Sequence, residues 1–370
     1  MKILMIGWGF PPRIDGGLDT HVFEISRELA RRNDVLLALP AFNSPRKAPE
    51  GVKIIPIRCP RFSRMRSLVN SVKEYNRNII RKCGNLDFDV IHSHDWFGVE
   101  ACSELRERTG KPWVFTLHSL EYMRSCQNGK SAMERLERRG AEECDRVITV
   151  SKGMKKSIVR DYGISPGKID VVYNSARMGR VNTGNIRRRF GLGKGPVILF
   201  LGRLSSQKGV EYVIHSAKMV SEKIPEARFL VAGEGNLKGS LEIFSSHLGL
   251  DGKVIFAGFV PQKDLASYYS AADVFVLPSL HEPFGITVLE SLLSGTPVVV
   301  SENAGVLENV PEMKCIMKVR PSDSEELAGE ITHFLERPFR VSGREIAALQ
   351  KAYSWEKSAR QIESIYQKLM

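Results

Sequence analysis

Val197-Ile198-Leu199-Phe200-Leu201-Gly202-Arg203-Leu204-Ser205-Ser206-Gln207-Lys208-Gly209 sets five apolar residues before a glycine–arginine turn, and its polar end opens onto an amphipathic stretch, Val210–Glu222. Five β-rich apolar residues without alternation read as a strand buried on both faces, and the stretch after the turn has helical spacing. Repetition of strand, turn and helix builds a parallel sheet with helices on both faces.

The rhythm recurs in both directions. Before this stretch the strand candidates are Lys2–Ile6, Asp34–Leu39, Lys53–Ile57, Asp89–His92, Trp113–Leu117, Arg146–Val150 and Ile169–Val172. Helical patterns lie between most of them, among them Thr20–Arg31, Leu68–Arg81, Ala132–Glu143 and Gly153–Tyr162. After it come Arg228–Ala232, Val254–Ala257, Val274–Leu277 and Val298–Ser301, with helices near Lys263–Ala271 and Ile286–Leu293 and a last one from Trp355 to Leu369. Asn174–Lys194 is rich in Gly, Asn and Arg and has no apolar period, so it reads as a linker. The expected class is α/β with two doubly wound, Rossmann-like domains, 1–180 and 190–353, and a closing segment 354–370 packed back on the first. Such sheets bind ligands at the carboxyl ends of their strands, which places the expected site in a cleft facing both domains.

A chain of 370 residues suits two domains of about 150–200 residues each. Apolar residues at 42% and charged residues at 26% exclude a disordered chain, and no apolar run reaches the roughly 18–20 residues of a membrane span. Met1–Gly7 is a short apolar run without a following small-residue cleavage site, so it reads as a first strand and a cytoplasmic protein is expected. Cys59, Cys83, Cys102, Cys126, Cys144 and Cys315 form no C-x-x-C pair, which speaks for reduced thiols. Residues 1–182 hold 32 Lys and Arg against 21 Asp and Glu, whereas residues 183–370 hold 22 against 21. A partner of the first half is therefore expected to be anionic.

Several turns carry candidate chemistry. Gly7-Trp8-Gly9-Phe10-Pro11-Pro12 begins like a dinucleotide fingerprint but lacks the third glycine, and no acid ends the second strand, so NAD is not expected. Gly16-Gly17 is either a plain turn or a helix start open to an anion. His92 and His94 share a strand face, but the longer metallohydrolase pattern is missing and no metal is expected; Asp95 reads as a helix cap. His118 ends a strand where ligands sit, so it is either packed or functional. Arg203 and Lys208 flank a helix start, either as solvated cations or as a diphosphate site. In Leu277-Pro278-Ser279-Leu280-His281-Glu282-Pro283-Phe284-Gly285-Ile286-Thr287-Val288-Leu289-Glu290, one acid lies in a turn and the other one helical turn or so inside a helix. Two acids so spaced suit separate hydroxyl contacts on a long ligand rather than the facing pair of a glycosidase.

The Gly202-Arg203-Leu204…Lys208-Gly209 loop and the Glu282-x7-Glu290 segment together resemble those of family-4 retaining glycosyltransferases of the GT-B fold, near bacterial and archaeal glycogen synthases. Pro11-Pro12…Gly16-Gly17-Leu18…His21, His94-Asp95-Trp96, Thr116…His118-Ser119…Glu121-Tyr122 and Tyr353-Ser354-Trp355-Glu356 fall in the same order, so the resemblance spans nearly the whole chain. It implies a hexosyltransferase that takes a nucleotide-diphosphate sugar as donor and needs no cofactor or metal. By that resemblance Arg203 and Lys208 bind the diphosphate and Glu290 the ribose. Glu282 and the amides of Phe284, Gly285 and Ile286 hold the transferred sugar, Thr287 reaches a phosphate oxygen and Val260 lies near the base. The Gly16-Gly17 loop closes over the phosphates, His118 stands near the anomeric carbon, and Asp95 and Glu121 are carried as acceptor-side residues. The chain departs from the pattern at Ile14, where glycogen synthases have lysine, at Ala304-Gly305, and at Asn174-Ser175-Ala176-Arg177.

The implied acceptor is a glycan, a lipid or a small molecule. Arg58–Lys82 holds eight basic residues and one acid beside Leu68, Val69, Val72, Tyr75, Ile79 and Ile80. It is either a core-facing helix with a solvated basic face or a surface for an anionic acceptor or the inner membrane leaflet. Two rivals stand beside the transferase: a UDP-sugar 2-epimerase of the same architecture, and a nucleic-acid binder, which the sparse interleaving of aromatic and basic residues disfavours.

Overall fold

The computed structural model describes the chain apart from residues 12–15, 46, 62–64, 127–130 and 179–185, and the backbone alone at 65–67. The chain divides into two compact units, Met1–Asn174 with Trp355–Met370, and Ser175–Ser354.

The first unit is a seven-stranded, wholly parallel sheet. Its strands are β1 (Lys2–Ile6), β2 (Asp34–Pro40), β3 (Val52–Ile57), β4 (Val90–His94), β5 (Trp113–Leu117), β6 (Arg146–Thr149) and β7 (Ile169–Val171), in the order β3-β2-β1-β4-β5-β6-β7. Ile3, Leu4 and Met5 of β1 are wholly buried, as a central strand covered by helices on both faces requires. From β1 the strands run outward one way through β2 to β3, and from β4 they run the other way to β7, so the order reverses between β1 and β4. That reversal opens a crevice at the strand ends.

Two helices are pinned to this sheet by polar contacts. In the helix Met65–Cys83, Val72, Tyr75 and Ile79 are buried, and the Tyr75 hydroxyl lies 2.7 Å from Gly7 O and 2.9 Å from Ala38 O. Lys73, Arg77, Arg81 and Lys82 of the same helix face solvent. The basic helix thus spends its apolar stripe on its own sheet. The closing helix Trp355–Gln367 buries Trp355, Ala359, Ile362 and Tyr366 against the first unit. Its Glu363 accepts hydrogen bonds from Asn33 Nδ2 at 2.8 Å and Arg32 Nε at 3.1 Å, and Ser358 Oγ donates to Tyr173 O at 2.7 Å.

The second unit repeats the plan with six parallel strands: β8 (Val197–Leu201), β9 (Arg228–Ala232), β10 (Val254–Gly258), β11 (Val274–Leu277), β12 (Val298–Ser301) and β13 (Ile316–Val319), in the order β10-β9-β8-β11-β12-β13. The expectation of two doubly wound sheets holds. The strand Ile316–Val319 was not expected: it is a short edge strand whose Ile316, Met317 and Lys318 are not buried, so it lacks the apolar run of its neighbours. The reversal here lies between β8 and β11. The loops after β8 and β11 are those that carry Arg203, Lys208 and Glu282.

Among the described residues no helix is long and apolar enough to cross a membrane. The six cysteines are free thiols; Cys126 is exposed, and Cys83, Cys102, Cys144 and Cys315 are buried.

Candidate active site

The second unit builds its site from three strand ends. After β8 the chain makes a single 3₁₀ turn at Ser206–Lys208, passes Gly209 in the left-handed region (φ 64°) and enters the helix Val210–Lys223. A Cβ on Gly209 would lie 2.3 Å from Pro278 O, so only glycine lets the β8 and β11 loops touch here. Leu280 N donates to Gln207 O at 2.9 Å across the same seam. From the other side the β9 loop presses in, because a Cβ on Gly233 would fall 1.9 Å from Gly202 O.

This seam brings Lys208 to Glu282. The ammonium donates to Glu282 Oε2 at 2.6 Å, and Ser279 Oγ donates to the same oxygen at 2.9 Å. Glu282 is buried. Its carboxylate is therefore oriented through one oxygen. The loop that carries it is braced by Gly305 N on Glu282 O (3.1 Å) and Val306 N on Phe284 O (2.8 Å). Gly285 then caps the helix Ile286–Leu293 at φ 101°, leaving the first-turn amides without side-chain caps. One turn on, Glu290 is buried and accepts from the Tyr269 hydroxyl at 2.8 Å. Burial raises the Glu290 carboxyl to about 7 against the opposing hydrogen bond from Tyr269. Arg203 is exposed, Thr287 half-buried, and Val260 buried just beyond the end of β10.

In the first unit the corresponding crevice is lined by histidine. Helix Gly17–Leu29 starts at Gly16-Gly17 and carries His21; His94 ends β4; His118 follows β5. All three are buried, and burial lowers their proton affinity, that of His21 to about 4 and those of His94 and His118 well below the usual histidine value. His21 Nδ1 lies 2.7 Å from Asn174 Oδ1, and His94 Nδ1 lies 3.2 Å from His118 Nε2.

Below them sits a buried ion network. Asp95 turns the chain at φ 48° and accepts the His118 amide on Oδ1 at 2.8 Å. Arg124 NH1 is 3.5 Å from Asp95 Oδ2 and donates to Ser119 O at 2.9 Å. Its NH2 lies 3.1 Å from Glu121 Oε2 and also bonds Glu137, whose side chain is fully buried. Glu137 Oε2 accepts the Glu121 amide (2.9 Å) and the Tyr162 hydroxyl (2.7 Å). Burial pushes the Asp95 carboxyl up to about 7, with Arg124 opposing. Burial works against the charge of Arg124, but Glu137, Asp95 and Glu121 overcome it and leave its proton held more firmly than usual.

Two family patterns cover the chain: Glycosyltransferase Family 4 over residues 15–177 and Glycosyl transferases group 1 over residues 182–365. The chain belongs to the group 1 glycosyltransferases. It is 31% identical to an uncharacterized glycosyltransferase of Methanocaldococcus jannaschii, over 99% of this chain and 98% of that one. Its structure is similar to sucrose-phosphate synthase from Thermosynechococcus elongatus, with a TM-score of 0.84, 23% identity and coverage of 100% and 98% of the two chains. It is also similar to Anabaena HepE solved in complex with UDP and glucose, with a TM-score of 0.80, 18% identity and both chains covered fully. The fold is GT-B.

Within this glycosyltransferase the β8 and β11 loops gather Lys208, Glu282, Phe284, Gly285 and Ile286, with Glu290 behind them. His118, Asp95 and Glu121 meet in the first unit through the Arg124 network. Both oxygens of Asp95 are engaged there, by the His118 amide and by Arg124. The Ile14 departure lies outside the described residues. Four contributors were missed from the sequence: Gly233, Tyr269, Ser279 and Arg124. Ala232-Gly233-Glu234-Gly235 after a strand was a readable signal for a close backbone approach; the other three act through partners remote in the chain or in a turn whose shape was unknown.

Proposed function

We propose that this glycosyltransferase moves a hexose from a nucleotide-diphosphate sugar to a hydroxyl acceptor with retention at the anomeric carbon. The observation that carries the reading is the Lys208–Glu282–Ser279 cluster beside the uncapped start of helix Ile286–Leu293, at the reversal point of the second sheet. A cation beside a helix N-terminus suits a diphosphate, and an acid held through one oxygen keeps the other for a sugar hydroxyl. The UDP and glucose bound by Anabaena HepE support a donor of this class.

Lys208 is paired with Glu282. A diphosphate brings more negative charge to the same ammonium and draws it toward the phosphates. As the sugar–oxygen bond breaks, charge grows on the leaving phosphate, where Lys208, Arg203 and the start of helix Ile286–Leu293 stabilise it. Thr287 reaches a phosphate oxygen, Glu282 and the amides of Phe284, Gly285 and Ile286 hold the sugar, and Glu290 accepts from the ribose. Val260 sits by the base, Gly16 and Gly17 border the phosphates, and His118 meets the transferred sugar. The departing phosphate takes the acceptor's proton from the face it leaves, so no protein nucleophile is needed. Asp95 and Glu121 serve the acceptor side by holding the 118–121 turn. The exposed row Lys73, Arg77, Arg81 and Lys82 favours an anionic acceptor, a lipid-linked one included.

Thermal-shift screening against UDP-, GDP- and ADP-sugars tests the donor. A donor at 100 times its Kd adds about 2.7 kcal/mol to stability. With the donor found, the anomeric coupling of the product reports retention. No stabilisation by any of the three refutes the donor class, an inverted product refutes retention, and an altered nucleotide sugar formed without acceptor makes the protein a 2-epimerase. Sedimentation with anionic vesicles at low salt tests the membrane-linked acceptor, and no lipid-dependent pelleting rejects it.

A further inference from the structure

A cavity of about 660 Å³ opens in the first unit at the carboxyl ends of β2 and β3. Its volume lies within the roughly 300–1,000 Å³ of small-molecule sites. None of its lining residues belongs to the donor site or to the histidine-lined crevice. Strand pairing builds its floor. Pro40 lies beside Ile57, and Ala41 N donates to Ile57 O at 2.8 Å, so the two strands stay paired to their last residues. Beyond them the loops part. Asn43 N donates to Pro40 O at 2.9 Å and Asn43 Nδ2 to Trp8 O at 2.8 Å, which ties the first loop to the end of β1. Asn78 Nδ2 donates to Arg58 O at 2.9 Å and Lys82 Nζ to Pro56 O at 2.8 Å, which ties the second loop to the helix Met65–Cys83.

The charge of this opening is one-sided. Arg58 and Arg61 line it, both are exposed, and neither guanidinium has an acceptor among the described residues. Glu74, also in the lining, is engaged elsewhere: its Oε2 meets Arg77 NH1 at 2.9 Å and its Oε1 accepts from Asn78 Nδ2 at 3.0 Å. Burial pushes the Cys59 thiol up to about 11, so this wall residue adds no charge near neutral pH. Two cations in one opening match a dianion, and a guanidinium fork meets phosphate oxygens two at a time. Apolar surface adjoins the cations. Phe42 and Pro60 supply it, and the Phe42 ring is held edge-on to Trp8 with centroids 6.2 Å apart. A bare phosphate would leave most of the volume empty, so the fitting ligand carries its phosphate on an organic body.

We propose that this cavity binds a phosphate monoester, with Arg58 and Arg61 on the phosphate and Phe42 and Pro60 against the group that carries it. That group is a sugar or the first carbons of a lipid; both set C–H surface beside a phosphate dianion. The binding stands apart from the donor reading. Its use as an anchor for the acceptor rests on that reading: β3 is two strands from β1, and strands about 4.8 Å apart put it about 10 Å away, within reach of an extended acceptor whose other end lies in the β1–β4 crevice.

The test uses the full chain without nucleotide sugar. Calorimetry measures binding of glucose 6-phosphate, glucose and inorganic phosphate. Sedimentation measures binding to phosphatidylcholine vesicles with and without phosphatidic acid. One of the two monoesters should bind, and glucose and plain phosphatidylcholine should not. Binding of glucose 6-phosphate assigns a soluble sugar phosphate; binding of phosphatidic acid without it assigns a lipid phosphate. Arg58→Gln and Arg61→Gln should each weaken that binding about 10-fold or more, as loss of a charged hydrogen-bond donor does. Both side chains are exposed, so the variants should melt as the parent does. Arg188→Gln removes the same charge from an exposed position of the second unit and should leave binding unchanged. The bound ester should slow alkylation of Cys59 by iodoacetamide but not that of the exposed Cys126, which is not in the lining. Failure of both esters to bind, inorganic phosphate binding as tightly as the better ester, parental affinity in both arginine variants, equal loss in Arg188→Gln, or an unprotected Cys59 overturns the proposal. Absence of sugar transfer with this binding intact overturns the transferase reading alone.

Discussion

Replacing Arg124 by methionine keeps the length of the side chain and removes the only cation that faces Asp95, Glu121 and Glu137 in the contacts described. Glu137 is fully buried and Asp95 nearly so. Removing one partner of a buried ion pair costs about 3–5 kcal/mol, because the other charge stays buried without compensation. At about 2–4 °C per kcal/mol for a unit of this size, the melting temperature should fall by roughly 6–20 °C. All four tryptophans, Trp8, Trp96, Trp113 and Trp355, belong to the first unit, so urea unfolding followed by intrinsic fluorescence reads that unit alone. The pH dependence has a definite sign. The Asp95 carboxyl is raised in the folded state to about 7, so its contribution to stability is fully present below its ordinary range and is lost as pH rises through about 7. Without Arg124 the carboxyls hold protons more firmly still, and the deficit of Arg124→Met should be larger at pH 8 than at pH 5. Adding Glu137→Gln should recover much of the loss, since the amide oxygen can still accept from Glu121 N and Tyr162 while the orphaned charge disappears. A single variant within about 1 kcal/mol of the parent, or a double variant no better than the single, would refute this account of the network.

Three further outcomes are expected. Lys208→Ala should lower turnover about 10²–10³-fold at saturating donor, and unchanged turnover in a steady-state assay would remove Lys208 from charge stabilisation. Tyr269→Phe should destabilise the second unit by about 1–3 kcal/mol, more above pH 7 than below it, because the Glu290 carboxyl, raised to about 7, then loses its donor; far-ultraviolet circular dichroism during urea unfolding at pH 5.5 and 8 reads the difference, and equal loss at both would contradict it. Gly209→Ala should weaken donor binding and lower stability by about 1–3 kcal/mol, since its Cβ would lie 2.3 Å from Pro278 O at a left-handed φ of 64°; calorimetric donor affinity equal to that of the parent would show that the β8–β11 seam does not shape the site.

Much of the fold was legible locally. Seven of the strands in the first sheet and five in the second stand as apolar runs bounded by turns, and Ala132–Glu143 and Ile286–Leu293 have the helical bounds that their spacing implied. The strand Ile316–Val319 escaped because an exposed edge carries no continuous apolar run. The glycines and cations after Leu201 and the acids after Leu277 were legible too, since a strand end followed by a helix start is a local event.

What no local pattern holds is which strand ends become neighbours. Lys208 and Glu282 are 74 residues apart, Tyr269 and Glu290 are 21 apart, and His21 reaches Asn174 across 153 residues. These pairs exist because the strand orders β3-β2-β1-β4-β5-β6-β7 and β10-β9-β8-β11-β12-β13 reverse beside β1 and β8. Periodicity of apolar residues determined the strands and helices by themselves, because burial of one face or two is a property of a few consecutive residues. Sheet order, by contrast, is settled by long-range packing, and it alone decided that three distant histidines share one buried space and that one arginine meets three acids.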